Sequence, residues 1–283
     1  VAAELQRWEI SVDDSGGVPL GQTAPGAFMR LIPQMIANDL TPVPLLAALK
    51  HPLSAGGDAP GRFRARVRQL ELAILRGPRP GAGFKDLHLA LGRRESAADL
   101  KGWLREIETS AKPLMAALRS RDAPLKDLVD AHLAFAEALA ASDTERGAAR
   151  LWHGDAGEAL SDLFRDVLDG VTGLPSIRGA DYPDLIEALM ADRVVRPRFG
   201  GHPRLAIWGP LEARLQQADL LILGGLNEGK WPPETETDPW LSRPMRQRFG
   251  LPLPERRVGL SAHDFVQSAS APEVVLTRAL KVD

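Results

Sequence analysis

The residues best placed to do chemistry lie in one stretch, residues 219–232, which reads D-L-L-I-L-G-G-L-N-E-G-K-W-P. Four consecutive apolar residues run into the pair Gly224 and Gly225, and a continuous apolar run bounded by turn residues predicts a fully buried strand. Beyond it Asn227 and Glu228 supply an amide and a carboxylate. Gly224, Gly225 and Gly229 allow backbone angles closed to other residues, and Trp231-Pro232-Pro233 stops any continuation. Loops at the carboxyl end of buried parallel strands are where open α/β sheets hold ligands. Asn227 and Glu228 have a second reading, as helix caps or partners of Arg214.

Cationic side chains gather in three places. Arg62, Arg64, Arg66 and Arg68 form two stripes at i and i+4 if helical. Arg193, Arg196, Arg198 and Arg204 make a second group, and Arg243, Arg246, Arg248, Arg256 and Arg257 a third, after the glycine-rich loop. Each could neutralise phosphates of a nucleic-acid strand. Trp231 and Trp240 lie near the third in sequence and could stack on bases. Solvated arginines beside acids such as Glu71 or Glu255 are the alternative. His153 with Asp155 and Glu158 is the one local group of histidine and acids, better suited to a loop and helix cap than to a metal. His263 beside Asp264 fits a helix start. The chain has no G-x-x-x-x-G-K-[ST] segment and so no Walker phosphate cradle, and it contains no complete catalytic site.

The elements that must position these groups fall into two kinds. Ile10 and Val12 alternate ahead of the turn Ser15-Gly16-Gly17, and residues 27–40 and 45–50 read as helices. From residue 53 the periodicity is helical throughout, over 63–75, 97–119, 125–141, 157–168 and 183–190, with residues 76–84 as a loop. Strand signals return at 205–208. A short helix over 210–218, with Pro210 at its first position, and the strand 220–223 would complete a βαβ unit. Ser261 and Asp264 have the spacing of a helix cap, predicting a helix over 262–269 that leads to a last strand at 274–277. This divides the chain into 1–52, a first α/β part; 53–202, an all-helical insertion; and 203–283, the second α/β part.

The blocks H-P-R-L-A-I-W-G-P-L-E-A-R-L-Q-Q-A-D (202–219), G-G-L-N-E-G-K-W-P (224–232), D-P-W-L-S-R-P-M-R (238–246), G-L-P-L-P-E-R-R (250–257), S-A-H-D-F (261–265) and E-V-V-L-T-R-A (273–279) resemble AddB, the second subunit of AddAB-type bacterial helicase-nucleases. More distantly, the order of features is similar to the second motor domain of UvrD-like helicases, where G-L-x-E-G-x-x-P precedes a terminal T-R-A. The resemblance implies a split, parallel-sheet, helicase-like α/β domain with an all-helical insertion. It also implies a role in double-strand break repair and recombination, as a DNA-binding and scaffold module with degenerate motor motifs. Leu211 and Glu212 match the family's motor motif, but Gly209 or Pro210 stands where active motors have a lysine. Arg278 matches the arginine that reaches a nucleotide γ-phosphate in active helicases; a carboxylate such as Glu212 or Glu228 holding it is the alternative.

The implied partners are DNA, as single strand rather than duplex, and an AddA-like helicase subunit. ATP, magnesium and an iron-sulfur cluster would belong to the parent protein. Cysteine is absent, so these residues cannot ligate that cluster. Two other classes stay open: a competent ATP-dependent motor half, and an unrelated metabolite-binding α/β enzyme, which the lack of a G-x-G-x-x-G turn weakens.

Composition sets outer bounds. The chain has 283 residues, 25% charged and 44% hydrophobic, with net charge −2, so any pull on nucleic acid must come from local patches. No run approaches the roughly 18 apolar residues of a membrane helix, which leaves a cytoplasmic protein as the expectation. Val1 in place of an initiator methionine, and an apolar run just before the end, read as the edges of an internal piece of a longer polypeptide.

Overall fold

The computed structural model describes residues 1–78, 80–92, 98–196, 201–234 and 238–280. Along the chain the elements are α1 (Ala2–Arg7), β1 (Asp13–Asp14), β2 (Val18–Pro19), α2 (Ala24–Ala37), α3 (Pro42–Leu49), α4 (Pro60–Leu70), α5 (Gly83–Gly92) and α6 (Ala98–Arg119). They continue with α7 (Leu125–Ala140), α8 (Gly147–Leu151), α9 (Gly154–Gly170), α10 (Tyr182–Ala191), β3 (Val194–Val195), β4 (Ala206–Ile207), β5 (Leu220–Leu223), α11 (Arg243–Arg248), α12 (Glu255–Ala269) and β6 (Glu273–Leu276). The chain is mixed α/β with small parallel sheets. It divides into two compact units, Gly17–Arg198 and a discontinuous one of Val1–Gly16 with Phe199–Asp283.

The Gly17–Arg198 unit is built of helices because its apolar residues recur at three-and-four spacing. Thr23 caps α2, its hydroxyl accepting from the Gly26 amide at 3.2 Å. The helix buries Phe28, Met29, Ile32, Met35 and Ile36. Those side chains join one core with Phe63 and Val67 of α4, Leu104 and Leu114 of α6, Phe135 and Leu139 of α7, Leu160 and Phe164 of α9 and Tyr182 of α10. The helix expected over 63–75 ends as α4 at Leu70 and continues as a π-turn, Glu71–Leu75. There Lys50 and Arg76 both pair with the nearly buried Glu71 carboxylate, and their hydrogen bonds hold it below the usual carboxylate range. Helices α5 and α8 went unread in the sequence. The antiparallel pair β2 and β3 also belongs to this unit.

The α/β part was expected to reach residue 52, but the first segment of the discontinuous unit stops at Gly16. The reason is packing: α2 and α3 put Phe28, Ile32, Leu45 and Leu49 into the helical core, and β2 pairs with β3 of that same unit.

In the discontinuous unit, β1 runs parallel to β4, Asp13 opposite Ala206, and β5 runs parallel to β6, Leu220 opposite Glu273. Helix α12 packs on β5. Four expectations fail here. Residues 210–215 form turns and not a helix, with Leu215 at φ 66°, and β4 and β5 lie in separate two-stranded sheets and form no βαβ unit. The strand over 220–223 is not fully buried: Leu223 is, but Leu220 and Ile222 are 46% and 61% exposed, because α12 covers one face of a sheet only two strands wide. Helix α12 starts at Glu255, several residues early, so Ser261 and His263 lie within it and cap nothing.

Candidate nucleic-acid interface

The loop after β5 is organised around Asn227. Its Nδ2 donates to the Ala279 carbonyl and its Oδ1 accepts from the Ala279 amide, both at 3.1 Å. The Asn227 side chain therefore does what another strand residue would, and fastens the glycine-rich loop to the segment after β6. The Thr277 amide donates to the Leu223 carbonyl at 2.9 Å and the Leu226 amide to the Thr277 carbonyl at 3.2 Å, so the two strand ends are tied at three levels. Gly225 and Gly229 sit at φ 72° and 74°, where a side chain would be strained. Asn227 caps no helix and does not touch Arg214. Arg278 and Glu228 are exposed, and neither side chain has a hydrogen bond or ion pair among the described residues. Neither carboxylate named as an alternative partner of Arg278 holds it: Glu228 makes no ion pair among the described residues, and Glu212 is engaged with another group.

Arg214 goes to Asp264. Its Nε and Nη2 donate to the two carboxylate oxygens at 2.7 and 3.0 Å, a fork geometry that fixes orientation as well as charge. Asp264 is buried, and the hydrogen bond from Arg214 keeps its carboxyl below the usual range. This pair replaces the cap expected of Asp264 and pins the turn of residues 210–215 to α12. Gly209 donates its amide to Ser15 Oγ at 2.8 Å.

The third arginine cluster divides into paired and unpaired members. Asp238 is the hub. Its Oδ1 accepts from the Trp240 and Leu241 amides at 2.9 and 3.1 Å, and its Oδ2 accepts from Arg246 Nη1 at 2.7 Å. The two backbone amides, then Arg246, hold the Asp238 carboxyl below its ordinary value. Arg246 Nε reaches on to the Pro252 carbonyl at 3.0 Å. Arg243 pairs with Glu255 at 2.6 Å, joining the first turns of α11 and α12. Arg248, Arg256 and Arg257 are exposed and make no side-chain hydrogen bond or ion pair among the described residues.

The tryptophans differ in the same way. Trp231 packs edge-on against Phe265 with centroids 5.8 Å apart, and its Nε1 donates to the Ser261 carbonyl at 3.4 Å, so it anchors α12. Trp240 is 86% exposed, and Phe249, which the sequence reading passed over, is 69% exposed. The signal for Phe249 was its position between the last arginine of α11 and Gly250, a turn glycine at φ 66°.

The other clusters are more occupied. Arg66 bridges Asp58 and Asp99, Arg62 reaches Asp58 at 3.7 Å, and Arg64 donates to the Pro60 carbonyl. Arg193 pairs with Asp166, Arg196 is engaged, Arg204 is exposed, and Arg198 lies outside the described residues. His153 occupies the amino-terminal cap position of α9 without a cap hydrogen bond from its side chain. Among the described residues no group of three or more His, Cys, Asp and Glu is arranged to hold a metal ion. No helix among them is long and apolar enough to cross a membrane.

No family model matches the chain. Among curated proteins, an uncharacterized protein of Rickettsia bellii (strain RML369-C) is 24% identical over 131 residues. That match takes in 46% of this chain and 15% of the relative, so the matched part is a small fraction of the relative's length.

Proposed function

We propose that the chain is a single-strand DNA-binding and scaffold module of the AddB type, working beside an AddA-like helicase subunit in processing broken duplex ends. The observation that carries this reading is the knot of residues 238–257, where unpaired arginines and two exposed aromatic side chains are presented together on chain fixed by Asp238 and Arg246. Arginine supplies charge for phosphates and aromatic faces stack on bases of any sequence, so this composition suits a single strand better than a duplex groove. The motif blocks from residue 202 onward support the family assignment, and Gly209-Pro210 in the motor-lysine position supports loss of translocation. ATP, magnesium and an iron-sulfur cluster would then be held elsewhere in the parent complex.

The test is fluorescence anisotropy of a labelled oligothymidylate titrated with the protein across a salt series. Electrostatic strand binding predicts that log affinity falls linearly with log salt, by about 0.7 per phosphate contacted, and that single strand is bound more tightly than duplex of equal length. Absence of binding at low salt would refute the reading.

A second reading, a nucleotide-sensing motor half, is favoured by one feature. Arg278 projects from the clamped ends of β5 and β6 without a carboxylate partner among the described residues. Saturable binding of a fluorescent ATP analogue, abolished in Arg278→Ala, would support it.

A further inference from the structure

The strand-binding knot contains two kinds of arginine, and resting on the proposed function, we infer that they have separate jobs. Arg248, Arg256 and Arg257 contact phosphates, Trp240 and Phe249 stack on bases, and Arg243 and Arg246 build the surface without touching the strand.

The assignment follows from what each side chain is already doing. Arg246 spends two of its nitrogens on Asp238 Oδ2 and the Pro252 carbonyl, and Arg243 is committed to Glu255 at 2.6 Å. A guanidinium whose charge a carboxylate already balances releases few counterions from a nucleic acid and adds little to the salt dependence. Arg248, Arg256 and Arg257 carry no such partner among the described residues. Arg248 ends α11 and the other two open α12, while the Arg243 to Glu255 pair holds those two helix starts together. Three uncompensated cations thus lie on one short piece of folded chain.

The aromatic residues occupy the same knot. Large apolar side chains left in water on an otherwise fixed backbone mark an interaction surface. Both are held at the backbone: the Trp240 amide by Asp238 at 2.9 Å, and the Phe249 amide by the Met245 carbonyl at 3.0 Å. The Leu251 amide donates to the Arg246 carbonyl at 2.9 Å, closing the turn after Phe249. Rigid aromatics lose little conformational freedom when a base settles on them, and the adjoining cations select a polyanion as the partner. Stacking tolerates every base, so the strand recognised is single and its sequence is of little consequence.

The experiment compares three variants of the full chain with the wild type in the oligothymidylate salt series, each first verified by circular dichroism to keep the wild-type melting transition. Arg248→Gln, Arg256→Gln and Arg257→Gln combined should reduce the salt slope by about 2, from roughly 0.7 per phosphate on a single strand. Trp240→Ala with Phe249→Ala should weaken binding by about 5- to 150-fold for each aromatic and leave the slope unchanged, since stacking releases no counterions. Arg243→Gln should leave the slope as it is, because no phosphate contact is removed, and lower affinity by a similar factor at every salt concentration, because the joint with Glu255 that positions the contacting arginines is loosened. If wild-type protein binds, but the triple variant keeps the full slope while Arg243→Gln lowers it, the division of labour is overturned and the proposed function survives. If wild-type protein does not bind, the proposed function itself falls. Polyglutamate displacing the oligonucleotide as well as unlabelled strand does, with no loss in the aromatic variant, would mean recognition by charge alone and would overturn the stacking roles.

Discussion

His132 is the residue whose surroundings carry the sharpest physical consequence. It is fully buried between Tyr182 and Phe164, with Nδ1 2.9 Å from the Tyr182 hydroxyl and Nε2 without a hydrogen-bond partner among the described residues. Burial pushes its pKa down from 6.5 to about 3, the Met29 backbone opposing. Above pH 6.5 the ring is neutral folded and unfolded, so it contributes no pH dependence. Between pH 6.5 and about 3 the unfolded chain takes a proton that the folded chain refuses, and stability falls with pH by up to about 1.4 kcal/mol per unit from this side chain. Urea unfolding at pH 7, 6 and 5 should show that decline, and His132→Phe with Tyr182→Phe should remove it. The double replacement leaves no orphaned hydroxyl or ring nitrogen. His51, also lowered by burial, contributes in the same direction and is untouched in both proteins, so their difference isolates His132. An unchanged slope would mean that water or a protein partner satisfies the buried ring.

At the scale of elements, legibility follows how much of an element's stability is local. Helices α2, α6, α7, α9 and α10 could be read from their apolar spacing because each turns one stripe to the core. Truncating such a stripe should cost what a core cavity costs. Leu104→Ala in α6, at a fully buried position, is expected to destabilise by about 3 to 5 kcal/mol with an unchanged denaturant slope. The sequence of residues 210–218 has good helix formers and still makes turns, since a tertiary demand wins. The Gly209 amide is taken by Ser15 and Arg214 is drawn to Asp264, neither of which periodicity can register. The same demand hid the role of Asp264, whose S-x-x-D spacing suited a cap while its actual partner lies 50 residues away. The candidate site was half legible for the same reason: its arginines and Trp240 stand out in sequence, but which arginines are neutralised depends on Asp238 and Glu255 meeting them in space. Arg214→Leu should therefore lower the melting temperature by leaving Asp264 buried without its cation, and Arg214→Lys should restore only part of the loss because one ammonium cannot fork to both oxygens. Equal melting temperatures for all three proteins would show that the turn does not depend on the pair.

For the whole molecule the decisive fact is where apolar surface is buried. Among the described residues the core runs from Leu20 to Val195, and Leu223 is the single buried hydrophobic side chain of the discontinuous unit. That unit leaves Leu220, Ile222, Val266, Val275 and Leu276 exposed. Its parallel sheets are two strands wide, although parallel sheets ordinarily have both faces covered. Local opening free energies scale with buried contacts and with backbone hydrogen bonds kept from solvent. Amide hydrogen exchange should accordingly separate the chain into two classes. Amides of α2, α6 and α7 should exchange slowest, on the timescale of global unfolding of the helical unit. Amides of β1, β4, β5 and β6 should exchange orders of magnitude faster, and limited proteolysis should cut first between residues 201 and 260. Saturation with single-stranded oligonucleotide should slow exchange in residues 238–257, since a ligand that binds the folded knot stabilises it by mass action, by about 2.7 kcal/mol at a hundredfold excess over Kd. Protection of β5 and β6 equal to that of α6 in the free protein would mean that the apolar face of this sheet is covered in solution, for instance by self-association. Concentration dependence of the exchange pattern would then distinguish coverage by a second copy from stability held within the unit.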